Sequence, residues 1–180
     1  GAGIGVPGLL DSRTQTIQTS PNIPCLKGVN LRAALSSRVS SPIVVENDAN
    51  AGTCGEFLCG AAKGAKTMIY LTLGTGLGGG LMFDGRIFHG SAGYAGEAGH
   101  TTIDPAGRLC ACGSRGCLET YVSSAGILET AREISSTLAV YDTVESLHRA
   151  AIDGDGLAIA SFERAGQQLG VGCANLMNLL

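Results

Sequence analysis

The sequence predicts an α/β fold in which buried strands alternate with helices, and three observations predict it. Hydrophobic residues make up 44% of the chain against 15% charged, a balance that suits strands covered on both faces and argues against a disordered or fibrous chain. Short apolar runs alternate with stretches whose apolar residues recur at helical spacing. Glycine, at 28 of 180 residues, gathers between them at Gly1 to Gly5, Gly74 to Gly80 and Gly90 to Gly99. Such clusters occur where backbone turns sharply or approaches a ligand closely.

The elements follow in order. Gly1 to Pro7 reads as the end of a strand entering a turn at Pro7-Gly8, and Leu31 to Val39 repeats apolar residues at helical spacing. Pro42 to Val45 is a short buried strand, and Ala49 to Ala62 is a helix weakened by Gly52 and Gly55. Thr67 to Leu73 is a strand, followed by a glycine turn and a second strand, Gly80 to Phe83. Asp84-Gly85 is a strong hairpin signal leading to a third strand around Arg86 to Phe88. Three helices are expected beyond it, Leu118 to Ile134, Val144 to Ile152 and Leu157 to Leu180. The natural division falls near Lys66, giving part of a small α/β lobe over 1–66 and a larger lobe over 67–180 with hairpin, cysteine loop and helices. The chain begins without a methionine and ends inside an apolar helical pattern. An internal stretch of a longer protein is therefore expected.

Charge and hydropathy exclude some classes of partner. The formal net charge is −3 and no basic block exists to track a phosphate backbone, so nucleic-acid binding through this stretch is not expected. An anionic ligand would have to be caught by backbone dipoles. No apolar run reaches the ~18 residues of a membrane helix and no signal peptide is present, so a cytoplasmic protein without membrane contact is expected.

Seven cysteines occur, and three crowd into Cys110-Ala-Cys112-Gly-Ser-Arg-Gly-Cys117. Gly113 and Gly116 let the backbone fold so that the thiolates converge, and His100 upstream supplies a fourth ligand across a Pro105 and Gly107 turn. Four protein ligands predict a closed, structural zinc site. The competing disulfide reading suits short secreted chains and leaves Cys110 and Cys112 too close to pair comfortably. Cys25, Cys54, Cys59 and Cys173 lie in apolar or helical context and are expected in the core.

Other residues carry candidate chemistry. Glu46-Asn47-Asp48 follows directly on a strand, and the carboxyl ends of strands in open α/β sheets are where ligands bind. Asn47 and Asp48 together suit a polyol, and a carboxylate there can act as general base on an alcohol. The plainer alternative is that Asp48 merely caps the helix that follows. Glu97 precedes His100 and Glu119 follows Cys117. Singly each reads as a solvated charge; with a metal fixing both loops, a shared site is the better reading. Gly74-Thr75-Gly76 opens a glycine run that has neither the helix of a dinucleotide fingerprint nor the Lys-Ser/Thr of a Walker loop. It remains a turn whose N–H groups and hydroxyl can cradle a phosphate.

Glu46 to Asn50, Leu73 to Gly80, Gly96 to His100 and Cys110 to Glu119, in this order, resemble the ROK family, named for repressors, open reading frames and kinases. The closest resemblance is to its bacterial glucokinase branch, and it runs across nearly the whole chain. It implies the actin-like, ribonuclease H-like sugar-kinase fold, two lobes with ligands in the cleft, here incomplete at both ends. It implies ATP-dependent phosphorylation of a hexose, with glucose the first choice and Asp48 the general base. Asn47, Glu97, His100 and Glu119 would hold the other hydroxyls, and Gly74, Thr75 and Gly76 would approach the phosphates of Mg-ATP. His100 would use one ring nitrogen on zinc and the other on the sugar. A homodimer is the family expectation. The Asp-x-Gly-Gly turn that opens family kinases and the glycine-rich segment near the adenine do not occur in these residues, so this stretch alone is expected to be inactive.

Two rival readings stand beside the kinase. Some family members are sugar-responsive transcriptional repressors with a helix-turn-helix segment ahead of the kinase-like part. A purely structural zinc module would explain the cysteines, but leaves Asn47-Asp48 and the glycine turn without a purpose.

Overall fold

A computed structural model of the chain describes residues 1–135 and 141–180. Contacts divide it into two compact units, one of Gly1–Leu71 with Gly79–Glu97 and one of Thr72–Gly78 with Ala98–Leu180. This is not the line drawn at Lys66. Most of the hairpin following Lys66 groups with the first unit, because its glycine strand lies directly against the helix after Asn47.

In the first unit, strand β1 (Ala2–Val6) pairs in parallel with β4 (Ile43–Asn47), Val6 opposite Asn47. Between them come a hairpin, β2 (Leu9–Asp11) and β3 (Thr16–Thr19), and a short helix, α1 (Leu31–Ser36). Val6, Leu10, Ile17, Ile43 and Val45 form the core of this region, with Leu31, Leu35 and Val39 packed against it. The β2–β3 hairpin is absent from the sequence expectation. Its turn contains no glycine and is closed instead by Asp11, whose Oδ1 accepts from the N–H groups of Arg13 and Thr14 at 2.9 and 3.1 Å. These bonds hold the Asp11 carboxyl below its usual range.

Helix α2 (Asp48–Cys59) leaves β4 without a linker. The Asn47 side chain caps it, accepting from the Asn50 N–H at 3.1 Å. A three-stranded sheet in the order β5 (Thr67–Leu73), β6 (Leu77–Phe83) and β7 (Arg86–Ile87) follows. Asp84 and Gly85 both take positive φ in the β6–β7 turn, as the Asp-Gly signal requires. The second strand starts three residues earlier than expected, so most of the glycine run is strand. Gly80 allows a close approach to α2, since a Cβ there would overlap the Thr53 Oγ1.

Beyond Thr72–Gly78, the second unit comprises an irregular loop, from the 3-10 turn Ala98–His100 to Leu118, followed by α3 (Glu119–Val122), α4 (Ser124–Ile134), α5 (Val144–Ile152) and α6 (Gly156–Leu179). The helix expected over Leu118 to Ile134 is thus two helices. Ser123 breaks it by going extended (φ −69, ψ 165) and recaps α4 with its own Oγ on the Gly126 N–H. Ala131, Leu147 and Ala158 bind α4, α5 and α6 into one core with Ile127, Leu128 and Phe162. No helix among the described residues is long and apolar enough to cross a membrane. Cys25 and Cys59 are exposed and Cys54 and Cys173 half-buried, against the expectation of core positions. Cys25 sits in a surface 3-10 turn and Cys59 in the last turn of α2.

Candidate functional site

The side chains of His100, Cys110, Cys112 and Cys117 converge in the second unit, their ligand atoms all within 4.8 Å of one another. Cys110 Sγ lies 3.7 Å from His100 Nδ1, and Cys112 Sγ lies 3.7 Å from Cys117 Sγ. A tetrahedron with metal–sulfur bonds of about 2.3 Å has sulfur–sulfur edges of about 3.8 Å. The cysteines therefore stand at metal-ligand spacing, far beyond a covalent sulfur–sulfur bond of about 2.05 Å. Burial and the neighbouring Cys110 and Cys112 push the Cys117 thiol up to about 12. Cys112 is held below the ordinary thiol range, first by a backbone hydrogen bond at Ser114. A buried thiol this reluctant to ionise is what a bound cation would discharge, since metal binding displaces the proton.

The loop takes this shape through backbone pairing and one arginine. Thr102 bridges Cys117 and Leu109 bridges Arg115, while the Ile103 N–H donates to Gly116 O at 2.8 Å. Gly116 has φ +65, and a Cβ there would overlap the Asp104 carbonyl. Arg108 then ties the loop to the helices. Its Nη1 donates to the carbonyls of Thr120 (2.6 Å) and Gly126 (2.9 Å), Nη2 to Thr130 Oγ1 (2.8 Å) and Nε to Glu133 Oε1 (2.9 Å). The guanidinium also stacks 4.7 Å over the Tyr121 ring. Arg108 was not singled out from sequence, because its partners are scattered over Thr120 to Glu133.

Glu119 sits in the same unit as the start of the glycine turn. Its Oε2 accepts from the Leu77 N–H at 2.8 Å, and a Cβ on Gly76 would come within 2.5 Å of that oxygen. The Gly74 N–H closes onto Gly76 O at 2.9 Å, and the Ser124 N–H onto Gly74 O at 2.9 Å. Gly74 and Thr75 are exposed.

In the first unit, Asn47 and Asp48 stand at the carboxyl end of β4, as expected. Asn47 is half-buried, with Oδ1 on the Asn50 N–H and Nδ2 donating to Gly8 O at 3.0 Å. An amide has capacity for two further bonds beyond those. Asp48 is exposed, with Oδ1 on the N–H of the next residue, Ala49, at 3.0 Å. Glu97, also exposed, is the last residue of this unit. Glu46 and His89 were not assigned a role from sequence, although they meet at 2.8 Å; 43 residues separate them, and no local pattern signals the contact.

The backbone matches that of a ROK hexokinase from Thermus thermophilus with a TM-score of 0.86 at 35% identity, which makes the fold the actin-like sugar-kinase one, and the chain belongs to the ROK family, whose profile matches residues 1–180. Among its relatives, a glucokinase of Halalkalibacterium halodurans is 40% identical over 192 residues, covering 100% of this chain and 58% of that protein. A xylose repressor of Caldicellulosiruptor bescii is 33% identical, covering 99% of this chain and 47% of that protein. A ROK family glucokinase from Streptomyces griseus, solved with glucose and AMPPNP, matches with a TM-score of 0.86 at 35% identity. That match covers 99% of this chain and 61% of the solved one. The chain thus spans about half the length of the curated relatives it matches.

Proposed function

We propose that this chain carries the acceptor site of an ATP-dependent hexose kinase, with glucose converted to glucose 6-phosphate and Asp48 as general base. The observation that supports this most directly is the division of labour at the start of α2. Asn47 is the N-cap, so the Asp48 carboxylate, which meets the Ala49 N–H through Oδ1, is not the cap of the helix and stands exposed at its start. In the reaction, Asp48 takes the proton of the sugar hydroxyl, whose oxygen bonds to the γ-phosphorus as the bridge to ADP breaks. Asn47, Glu97, His100 and Glu119 are assigned to other hydroxyls. Gly74, Thr75 and Gly76 are assigned to the phosphates of Mg-ATP, which supplies the charge-neutralising cation. These assignments rest on the family resemblance and on the capacity left at Asn47.

The metal is proposed to be zinc, since three thiolates and an imidazole at tetrahedral spacing select it over hard cations. It would fix the loop that carries His100 and lend no Lewis acidity. Unbridged cysteines suit a cytoplasmic protein, and a homodimer belongs to the same proposal. The second reading is a sugar-responsive repressor, favoured by the 33% identity to a xylose repressor. That function needs the sugar ligands and has no use for a general base.

The test is ADP release by the whole protein with Mg-ATP against a panel of hexoses and N-acetylhexosamines. Turnover with one sugar is expected, with glucose first. A folded, zinc-loaded sample that turns over none of them, yet binds a sugar, would transfer the assignment to the repressor.

A further inference from the structure

Glu46 holds three groups at once. Its Oε1 accepts from the Asn47 N–H at 2.9 Å and from Asn50 Nδ2 at 3.0 Å, while Oε2 meets His89 Nε2 at 2.8 Å. Asn47 and Asn50 flank Asp48 in the chain, so one carboxylate oxygen fixes backbone before it and side chain after it. Asn50 is only 4% exposed, and its Oδ1 has no partner among the described residues. The bond to Glu46 therefore decides how that amide is turned. His89 comes from the segment after β7, and among the described residues no other side chain is seen on Glu46 Oε2.

The pair is not sealed. His89 and Glu46 are 33% and 25% exposed, and both line a cavity of about 380 Å³ shared with Ser12, Arg13 and Arg32. A contact this open to water adds little to stability. Its contribution is geometric. A carboxylate held at one oxygen only can rotate about its last torsion, which is broad; a second anchor on the other oxygen removes that freedom.

We infer that His89 and Glu46 form a positioning pair for Asp48: His89 pins one oxygen of Glu46 so that the other holds the strand–helix junction from which the Asp48 carboxylate projects. The inference rests on the kinase reading for what Asp48 does, but the pin itself is a property of the junction. Glu46 and His89 touch neither substrate nor metal in this scheme.

The test uses the whole protein with His89→Ala and His89→Gln, the latter because a glutamine amide can replace the Nε2 donor. For His89→Ala we expect kcat to fall roughly 10-fold or more, since sub-ångström misplacement of a catalytic group is costly. The hexose KM should stay within about two-fold, as an interaction used only in the transition state is lost. His89→Gln should recover most of the rate. Amide exchange at Asn47, whose N–H is on Glu46, should accelerate about 10-fold in His89→Ala and stay near wild type in His89→Gln. An unchanged kcat in His89→Ala overturns the inference. So does a parallel loss of rate, KM and folding that glutamine does not restore, which would mark ordinary packing. If the wild-type protein phosphorylates no sugar, the kinase reading fails separately. Asn47 exchange then decides alone: acceleration upholds the pin and no acceleration overturns it.

Discussion

Two regions carry the candidate chemistry, and they are held in opposite ways. The loop between His100 and Leu118 has almost no regular structure. Two isolated bridges and a fan of Arg108 bonds give it its shape, and four side chains converge in it at a spacing that could hold a metal. The junction from Glu46 to Asn50 is a strand running straight into a helix, and its side chains use bonds that any such junction offers: an N-cap, a carboxylate on nearby amides and one remote histidine. A loop without ladders depends on a cross-link, whereas the strand–helix corner is held by local caps and one remote anchor, with Asn47 rather than Asp48 serving as the cap.

The largest effect should come from the metal. Replacing Cys117 with Ser is expected to abolish stoichiometric zinc, measured by metal analysis. It should also lower the melting temperature by about 10 °C or more, because structural zinc contributes apparent binding energies of about 10–16 kcal/mol in small modules. A zinc-free protein that melts like wild type would break the contrast at once. Next comes Asp48→Asn. Here kcat should drop about 10²- to 10⁴-fold, with hexose affinity and melting temperature near wild type because Asn47 keeps the cap. Equal loss of binding and turnover would make Asp48 structural and erase the difference between the regions.

Smaller effects sharpen the comparison. Glu119→Ala strips the acceptor from the N–H of Leu77, a residue only 4% exposed. Leaving a buried donor unpaired costs about 1–3 kcal/mol, readable as a shift in denaturant midpoint, and chelation of the metal should produce part of the same shift. Smallest is a pH effect on the helices behind the loop. The Arg108 guanidinium, by hydrogen bond first and charge second, holds the Glu133 carboxyl below its ordinary value of 4.5. Because the folded value is the lower one, the pair stabilises above pH 4.5, and the gain is lost as the pH falls through the folded value. Glu133 is 38% exposed, so the loss should stay below about 1 kcal/mol. Glu133→Gln should flatten that part of the acid stability curve.

The sequence was readable where chemistry and spacing coincide. Three cysteines between 110 and 117 with a histidine upstream can converge in few ways, and they do. Strand β5 and helix α5 were readable because their apolar periods are clean and end in turn or capping residues. The β2–β3 hairpin was not, since its turn relies on an aspartate side chain and on Gln15 in the left-handed region, at φ +57. Nor was the break at Ser123, where a residue acceptable inside a helix uses its hydroxyl to start a new one. Arg108 and the Glu46–His89 contact escaped for a common reason: their partners are chosen by tertiary structure, and local sequence carries no period for that. Glu119 was legible as a candidate from its place beside Cys117, but its contact with the Leu77 N–H, 42 residues away, was not.

Gly116 has a consequence for inheritance as well as for shape. Its positive φ and the Asp104 carbonyl leave no room for a Cβ, and every amino acid that one base change can reach from a glycine codon carries one. The only harmless changes at that codon are the synonymous ones. In a saturation library selected for function, position 116 should return glycine alone, while Gly113, at φ +91 but with nothing within 4 Å of a Cβ, should favour glycine and lose less with asparagine than with a β-branched residue.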